Sequence, residues 1–348
     1  MRYDRRIYLY LAKLTQKRRT MDDGYPQMIL EATKRIKPHI WKTPLLHSSY
    51  LSDSVKKISV FIKLESDQLT GSFKVRGAFN KFLQLLETNP DIRKTGVYTA
   101  SSGNHGLACL EAAKVLGVPL TIYCQEGVDP GKKDNLLHEG AKLVLHGNDC
   151  VEAELKSRSD AEANGTTYVS PYNDRTVVAG QGSIAVEIFE EFPEVDAVLV
   201  PVGGGGLIAG IARYIKQVKP STKVYGCQPK NSKVMYESVK ANKVIFEESY
   251  PTLSDATAGG LEESTVTFQL CRDFVDEWIM VEEEDIAKAI MFMVEKHHKI
   301  VEGAAGVSIG AYMTNMDKFS GQNVVIISCG ANLSLSIMHD IVSKYKSK

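Results

Sequence analysis

One lysine in this sequence has neighbours that favour nucleophilic chemistry. Lys74 lies in the segment Thr70–Gly77, between two glycines and among small polar residues, just before a helix that we expect to begin near Ala78. When such a lysine is withdrawn from water its pKa falls, and the neutral amine can form a Schiff base with a carbonyl compound. The alternative is a solvated lysine near a helix start, which composition alone favours.

Four consecutive glycines, Gly203, Gly204, Gly205 and Gly206, follow an expected strand and open an expected helix at Leu207–Lys216. Without side chains, their backbone N–H groups can converge on one anion, to which the helix N-terminus adds partial positive charge. A merely tight turn would not need four residues that each lose so much conformational entropy on folding. The pattern therefore predicts a phosphate-binding loop.

Two nucleotide-binding motifs compete for the same glycines. The spacing Gly204-x-Gly206-x-x-Ala209 fits the dinucleotide fingerprint, but Gln228 follows the next expected strand, where that fingerprint has an acidic residue. A Walker A loop is excluded because no Gly-Lys-Ser/Thr sequence follows the glycines. A nicotinamide-dependent or nucleotide-binding protein is the weaker interpretation.

Two other turns combine small polar residues with the end of an expected strand. Ser101, Ser102 and Asn104 precede the expected helix His105–Leu116, and helix N-termini with such donors bind anions, here a substrate carboxylate. An ordinary N-cap would explain only one of these residues. Cys329 follows another expected strand and either contacts a ligand or is a small buried thiol.

The elements that must position these turns alternate between short β-branched runs and longer amphipathic stretches. This alternation predicts an α/β fold of two domains with twisted, mostly parallel sheets flanked by helices, and ligands at the carboxyl ends of the strands. The expected strands are Ile58–Leu64, Gly96–Ala100, Leu120–Cys124, Lys142–His146, Ala197–Val202, Lys223–Cys227, Trp278–Val281 and Val324–Ser328. The other expected helices are Asp149–Ala163, Val177–Phe192, Glu284–His297 and Leu333–Lys346. The first of these is so rich in charge that we expect it on the surface.

The composition limits the partners and the compartment. The 42 basic and 42 acidic residues balance, which argues against nucleic acid or an anionic membrane as the main partner. No apolar run approaches the roughly 18 residues of a membrane-spanning helix. Six scattered cysteines indicate reduced thiols and a cytoplasmic protein. The alternative is a mitochondrial protein, if the basic residues 1–20 form a transit segment.

Together, the turns hold a lysine, a phosphate loop and a carboxylate site. The cofactor that needs a lysine and carries a phosphate is pyridoxal 5′-phosphate (PLP), which acts as an electron sink for carbanions. We therefore expect PLP as the cofactor and a small amino acid as the substrate.

From about Ile29 to its C-terminus, the chain resembles the fold type II PLP enzymes of the serine/threonine dehydratase and serine racemase family, whose fold is tryptophan synthase beta-like. The shared motifs, in the order of the family, are Gly-Ser-Phe-Lys-Val-Arg-Gly, Ser-Ser-Gly-Asn-His-Gly, Ala179-Gly180-Gln181-Gly182, the tetraglycine and Glu302-x-x-Ala305-Gly306.

The resemblance implies how matching residues would bind the cofactor. Lys74 would bond covalently to PLP and later act as acid and base, while Asn104 would bind the 3-hydroxyl group. Phe73 would pack against the pyridine ring, and the four glycines would bind the phosphate. Glu302 would be a buried acid near the cofactor, with a solvated charge at a helix end as its alternative. Cys329 would be a neutral partner of the pyridine nitrogen, which suits elimination.

The substrate residues implied by the resemblance are Ser101, Ser102, Asn104 and His105 for the carboxylate, and Tyr172 for the side-chain wall. Ser102 matches the serine that delivers a proton from the opposite face in racemases, although carboxylate binding alone would also explain it. An aromatic residue such as Tyr172 is more typical of dehydratases.

The racemases hold a divalent cation at a site that this chain has altered. The matching positions are Gln228, Ser232 and Val234, with Lys233 alongside, and two carboxylates are missing. Because hard cations prefer anionic oxygen ligands, we expect no metal there, with the Lys233 charge as a substitute.

The resemblance therefore implies an ammonia-lyase acting on L-threonine, L-serine or both, by removal of the α-proton and elimination of the β-hydroxyl group. Serine racemase and threo-3-hydroxyaspartate dehydratase are the alternatives. It also implies a homodimer. We expect a large PLP-binding domain from residues 21–95 and 173–348, a small nested domain at 96–172, and a basic tail at 1–20.

Overall fold

The computed structural model describes residues 23–345, so the basic segment expected at residues 1–20 lies outside the described residues. The described chain forms two sheets flanked by helices, and neighbouring strands pair in parallel except for the first two in the chain. The prediction of an α/β fold with mostly parallel sheets is confirmed.

The larger sheet has six strands and holds most of the apolar core. They are β1 (Leu45–His47), β2 (Ser59–Leu64), β7 (Ala197–Pro201), β8 (Lys223–Pro229), β9 (Glu277–Val281) and β10 (Asn323–Ser328). Their order is β1-β2-β10-β7-β8-β9. All five positions of β7 are buried, as expected for a parallel strand with helices on both faces.

The smaller sheet has four parallel strands in the order β5-β4-β3-β6. They are β3 (Val97–Ala100), β4 (Leu120–Cys124), β5 (Lys142–Leu145) and β6 (Thr167–Tyr168). The chain leaves the larger sheet after β2 and returns to it at β7. The domain boundaries at residues 96 and 172 stay a prediction. The sequence pattern does not predict β1 or β6, because strands of three and two residues are too short to show an alternation.

The helices lie between the strands and cover both sheets. They are α1 (Tyr25–Ile36), α2 (Lys74–Thr88), α3 (Ile92–Thr95), α4 (Asn104–Leu116), α5 (Pro130–His138), α6 (Cys150–Ala163), α7 (Arg175–Glu191), α8 (Gly206–Val218), α9 (Val234–Ala241), α10 (Val266–Phe274), α11 (Glu283–His297), α12 (Gly303–Met313) and α13 (Leu335–Tyr345). No helix within residues 23–345 combines the length and the apolar character needed to cross a membrane.

Three helices show where the sequence pattern succeeds and fails. The surface position expected for α6 is confirmed, since only three small side chains on it are buried. The expectation that a helix begins near Ala78 is wrong, because α2 already begins at Lys74. The pattern misses α12, which is buried at ten of its eleven positions and so has no polar face to give it a helical period.

Candidate active site

Lys74 lies at the first position of α2, close to the end of β10. The backbone N–H of Phe73 donates to the Cys329 carbonyl at 3.0 Å, which fixes the start of the helix. The Lys74 Nζ donates to the Pro171 carbonyl at 3.1 Å. Burial of this amine lowers the pKa of Lys74 to about 8, so part of the population is neutral at pH 7. A nucleophilic role requires that neutral form.

The turn before Lys74 has an unusual backbone. Thr70 and Gly71 have φ angles of 58° and 70°, both in the left-handed region. For a residue with a side chain this conformation costs about 1–2 kcal/mol. The loop after β10 holds the turn in place, because the Ala331 N–H donates to the Gly71 carbonyl at 2.8 Å and the Asn332 amide donates to the Thr70 carbonyl at 2.9 Å.

The tetraglycine loop lies against neighbours that leave no space for side chains. A Cβ atom at Gly203 would come within 2.9 Å of the Thr257 Cα, and one at Gly204 within 2.5 Å of the Tyr172 ring. Gly205 has a φ angle of 85°. These contacts explain why glycine occupies consecutive positions, and a loop of glycines is able to bind an anion with its backbone N–H groups.

Tyr172, the expected side-chain wall for the substrate, packs against the same loop. Its hydroxyl accepts a hydrogen bond from the Glu262 N–H at 3.1 Å. Burial raises the pKa of Tyr172, so its hydroxyl stays protonated. On the other side of the loop, the Thr267 hydroxyl donates to the Gly204 carbonyl at 2.6 Å. The contacts from Lys74 through Pro171 and Tyr172 thus connect the lysine with the glycine loop.

Asn104 links the two halves of the site through its side-chain amide. Its Nδ2 donates to both carboxylate oxygens of Glu302 at 2.9 Å, and its Oδ1 accepts from the Asn332 amide at 2.6 Å. Burial raises the pKa of Glu302 to about 7, although the bond from Asn104 opposes this shift. Glu302 is therefore a buried acid, not a solvated charge at a helix end. Asn332, which had no role assigned from the sequence, orients Asn104.

Cys329 is buried next to this carboxyl group. Burial raises the pKa of its thiol well above the usual value, which keeps the group neutral. Its Sγ lies 3.9 Å from a carboxylate oxygen of Glu302. Phe73 is also buried, and the Lys74 Nζ lies 5.2 Å from the centre of its ring.

The polar groups at the turn before α4 differ in burial and in hydrogen bonding. The Ser101 hydroxyl accepts from the Gly103 N–H at 3.3 Å, and Ser102 is half-buried beside it. The His105 ring is buried, with Nε2 3.1 Å from the Val169 carbonyl oxygen. Burial, aided by the Lys74 charge, lowers the pKa of His105 to about 3, so the ring is neutral. This bond occupies the ring and leaves the backbone N–H of His105 as its group for an anion.

The helices α4 and α8 begin in a way that suits anion binding. Their N-caps are Gly103 and Gly205, which have no side chain to accept from the first N–H groups. The carboxylates of Asp149 and Asp174, by contrast, cap α6 and α7. The uncapped N–H groups of α4 and α8 can instead bind a carboxylate or a phosphate.

A cluster of buried charges that sequence reasoning missed supports the lysine. Arg76 is fully buried and contacts Glu65 and Glu187, each at 2.7 Å, while Lys63 Nζ contacts Glu187 at 2.6 Å. Burial would raise the pKa of Glu187, but the two cations lower it. Lys63, a charged residue in a strand whose other residues are apolar except for Ser59, was the available signal. The cluster anchors α2 two residues after Lys74.

These residues fit a cofactor with an aldehyde, a phosphate and a pyridine ring. The buried amine of Lys74 can attack the aldehyde, and the glycine loop can hold the phosphate. The neutral thiol of Cys329 can face an unprotonated ring nitrogen.

Comparisons with known proteins agree with this fit. A family model described as pyridoxal-phosphate dependent enzyme matches residues 36–330. The L-threonine ammonia-lyase of Thermotoga maritima is 38% identical over 316 residues, which are 91% of this chain and 77% of that protein.

Two solved structures have similar folds. The processed form of threonine deaminase isoform 2 from Solanum lycopersicum has a TM-score of 0.85 and 30% identity, covering 92% of this chain and 93% of that one. Maize serine racemase has a TM-score of 0.83 and 29% identity, covering 92% and 97%.

Proposed function

Given that the chain belongs to the pyridoxal-phosphate dependent enzyme family, we propose that it is an ammonia-lyase for L-threonine, L-serine or both. Its cofactor is pyridoxal phosphate. The products would be 2-oxobutanoate from threonine or pyruvate from serine, with ammonia. The observation that carries the proposal is the buried Lys74 amine, connected to a glycine loop that excludes side chains. The relative from Thermotoga maritima, named for L-threonine, supports this substrate class.

The bound cofactor would supply an electron sink for the negative charge that develops at the substrate Cα. Lys74 would hold the cofactor covalently before the substrate arrives, and its released amine would then take the α-proton. A pKa of about 8 suits both tasks, because the amine is a competent base near neutral pH and can also return a proton.

The other residues would orient the reacting groups. The N-terminus of α4, with Ser101, Ser102 and the backbone of His105, would bind the substrate carboxylate. Asn104 would face the cofactor hydroxyl group while Glu302 and Asn332 hold its amide. The neutral thiol of Cys329 would leave the ring nitrogen unprotonated, which limits the lifetime of the carbanion and so favours elimination over slower alternatives.

Serine racemase is the second candidate, and one residue favours it. Ser102 is half-buried beside the N-terminus of α4, where a hydroxyl group could deliver a proton to the substrate from the face opposite Lys74. Tyr172 opposes this reading, since its ring fills the space beside Gly204 and gives the substrate an aromatic wall. A threo-3-hydroxyaspartate dehydratase remains a narrower variant of the lyase.

We also propose a cytoplasmic homodimer in which residues 96–172 form the small domain.

The assay that separates these functions uses the purified holoenzyme with L-serine, L-threonine and threo-3-hydroxyaspartate. We expect 2-oxo acid from threonine or serine at a rate far above that of D-serine formation, measured by chiral chromatography. A D-serine rate above the pyruvate rate would replace the lyase by a racemase. If only hydroxyaspartate reacts, the narrower dehydratase is correct.

A further inference from the structure

Gln228 is fully buried at the carboxyl end of β8, and both ends of its side chain are engaged. Its Nε2 donates to the Val202 carbonyl at 3.2 Å, and its Oε1 accepts from the Tyr236 N–H at 2.8 Å. The partners fix the orientation of the amide, since a carbonyl needs a donor and an N–H needs an acceptor. Gln228 therefore joins β7 to the first turn of α9.

Both partners of this amide border the glycine loop. Val202 is the residue directly before Gly203. On α9, Met235 precedes Tyr236 and is buried against the loop, because a Cβ atom at Gly205 would come within 2.7 Å of the Met235 methyl group. A shift of either partner would thus move the chain before the loop or the surface beneath it.

The polar groups beside Gln228 also bond within the protein. The Ser232 hydroxyl lies 2.8 Å from the Ser249 hydroxyl and accepts from the Gly259 N–H. The Lys233 ammonium lies 2.9 Å from the Glu247 carboxylate. From the sequence, we expect the Lys233 charge to substitute for the cation. The structure instead pairs Lys233 with Glu247, so its charge is balanced there. The neutral amide of Gln228 itself connects Val202 with Tyr236.

We propose that Gln228 is a positioning residue for the phosphate-binding loop, so that the affinity for the phosphate of PLP depends on its amide. This rests on the proposed assignment of Gly203–Gly206 as the phosphate loop. The donor end is the critical one. A carboxylate in its place would set two oxygens with lone pairs against each other at the Val202 carbonyl, and it would bury a charge that keeps only the Tyr236 N–H of the two partners.

The test compares the binding of PLP with that of pyridoxal, which has the aldehyde and the ring but no phosphate. Cofactor-free protein is titrated with each compound, and the absorbance of the covalent product with Lys74 is recorded. We expect Gln228→Glu to weaken PLP binding about tenfold or more, the equivalent of one lost buried hydrogen bond. Pyridoxal binding should change less than twofold.

A second variant and a matched control separate positioning from stability. Gln228→Met removes both hydrogen bonds without adding a charge, so it should lower PLP affinity even if the glutamate variant folds poorly. Thr222 is also buried and lies directly before the first residue of β8, at the end opposite to Gln228. Its hydroxyl donates to the Val195 carbonyl at 2.8 Å. Thr222→Val should lower the melting temperature while the affinity for PLP stays within twofold of wild type.

Three results decide the matter. The inference fails if both Gln228 variants bind PLP as tightly as wild type, if pyridoxal affinity falls by the same factor, or if Thr222→Val loses as much PLP affinity. Gly204→Ala tests the underlying loop assignment, because its methyl group would collide with the Tyr172 ring. Wild-type PLP affinity in Gly204→Ala would refute the loop itself. A loss there without a loss at Gln228 would refute only the positioning role.

Discussion

The two sheets contribute unequal parts to the site. In the larger sheet, β7 is buried along its whole length, and the lysine, the glycines and Cys329 follow β2, β7 and β10 respectively. In the smaller sheet, the edge strand β5 has no buried position and the central strand β4 has four of five, and the contribution to the site is the turn before α4. Under the proposed function, the larger sheet and its helices, here called the larger part, would hold the cofactor. The smaller sheet and its helices, here called the smaller part, would bring the groups that bind the substrate.

The polar contacts within the larger part and those between the two parts also differ in burial. The cluster around Arg76 is buried and connects α2 with β2 and α7. Across the site, Lys132 of α5 pairs with Asp255 at 2.7 Å, yet both side chains are about half exposed. A buried cluster cannot open without a large cost, whereas an exposed pair can break easily. The Lys132–Asp255 pair is therefore easier to break than the cluster around Arg76.

The largest effect should come from the replacement of Lys74. We expect Lys74→Ala to lose the covalent attachment of PLP and to lower the lyase rate about a thousandfold or more, since both nucleophile and base are removed. The absorbance of the lysine–cofactor bond and the rate of 2-oxo acid formation measure these losses. Lys114→Ala, at an exposed pair with Glu139, should leave both unchanged. Covalent attachment in the Lys74 variant would show that another lysine reacts.

The next effect concerns the buried charges. Arg76→Met leaves Glu65 and Glu187 without their shared cation, so we expect the free energy of unfolding to fall by about 3–5 kcal/mol. Urea denaturation of the holoenzyme measures it. A loss below about 1 kcal/mol would mean that the cluster behaves like a surface pair, and the contrast between the two regions would then disappear.

The pH dependence of cofactor attachment gives a smaller effect with a defined sign. Lys74 reacts when neutral, and its lowered pKa of about 8 makes that form predominate above pH 8. The rate of PLP attachment to the cofactor-free protein should rise about tenfold from pH 7 to pH 9 and level off there. A lysine with the usual pKa would instead give about a hundredfold rise over this interval without levelling. Stopped-flow absorbance distinguishes the two profiles.

The sequence predicts the fold, the lysine and the glycine loop better than the residues that hold them in position. Lys74, the glycine loop and the α/β fold are visible because local glycine content and strand–helix alternation are properties of short segments. The roles of Asn332 and Arg76 depend on partners far away in the chain, Asn104 and Glu187, which no local pattern connects. His105 was expected at the substrate carboxylate, but the partner of its ring, the Val169 carbonyl, becomes visible only when the smaller sheet is assembled.

The smallest effect should come from the exposed pair across the site. We expect Lys132→Met to change the free energy of unfolding by less than about 1 kcal/mol, because both partners are half exposed. The turn of Asp255 continues to Thr257, which lies against Gly203, so the pair still joins the smaller part to the tetraglycine loop. The KM for the amino acid should therefore rise by a few-fold, and high salt should raise the wild-type KM towards it. Lys114→Met breaks a similarly exposed pair within the smaller part alone and should leave KM unchanged. Equal effects of the two substitutions would mean that the position of the smaller part does not depend on the contact across the site.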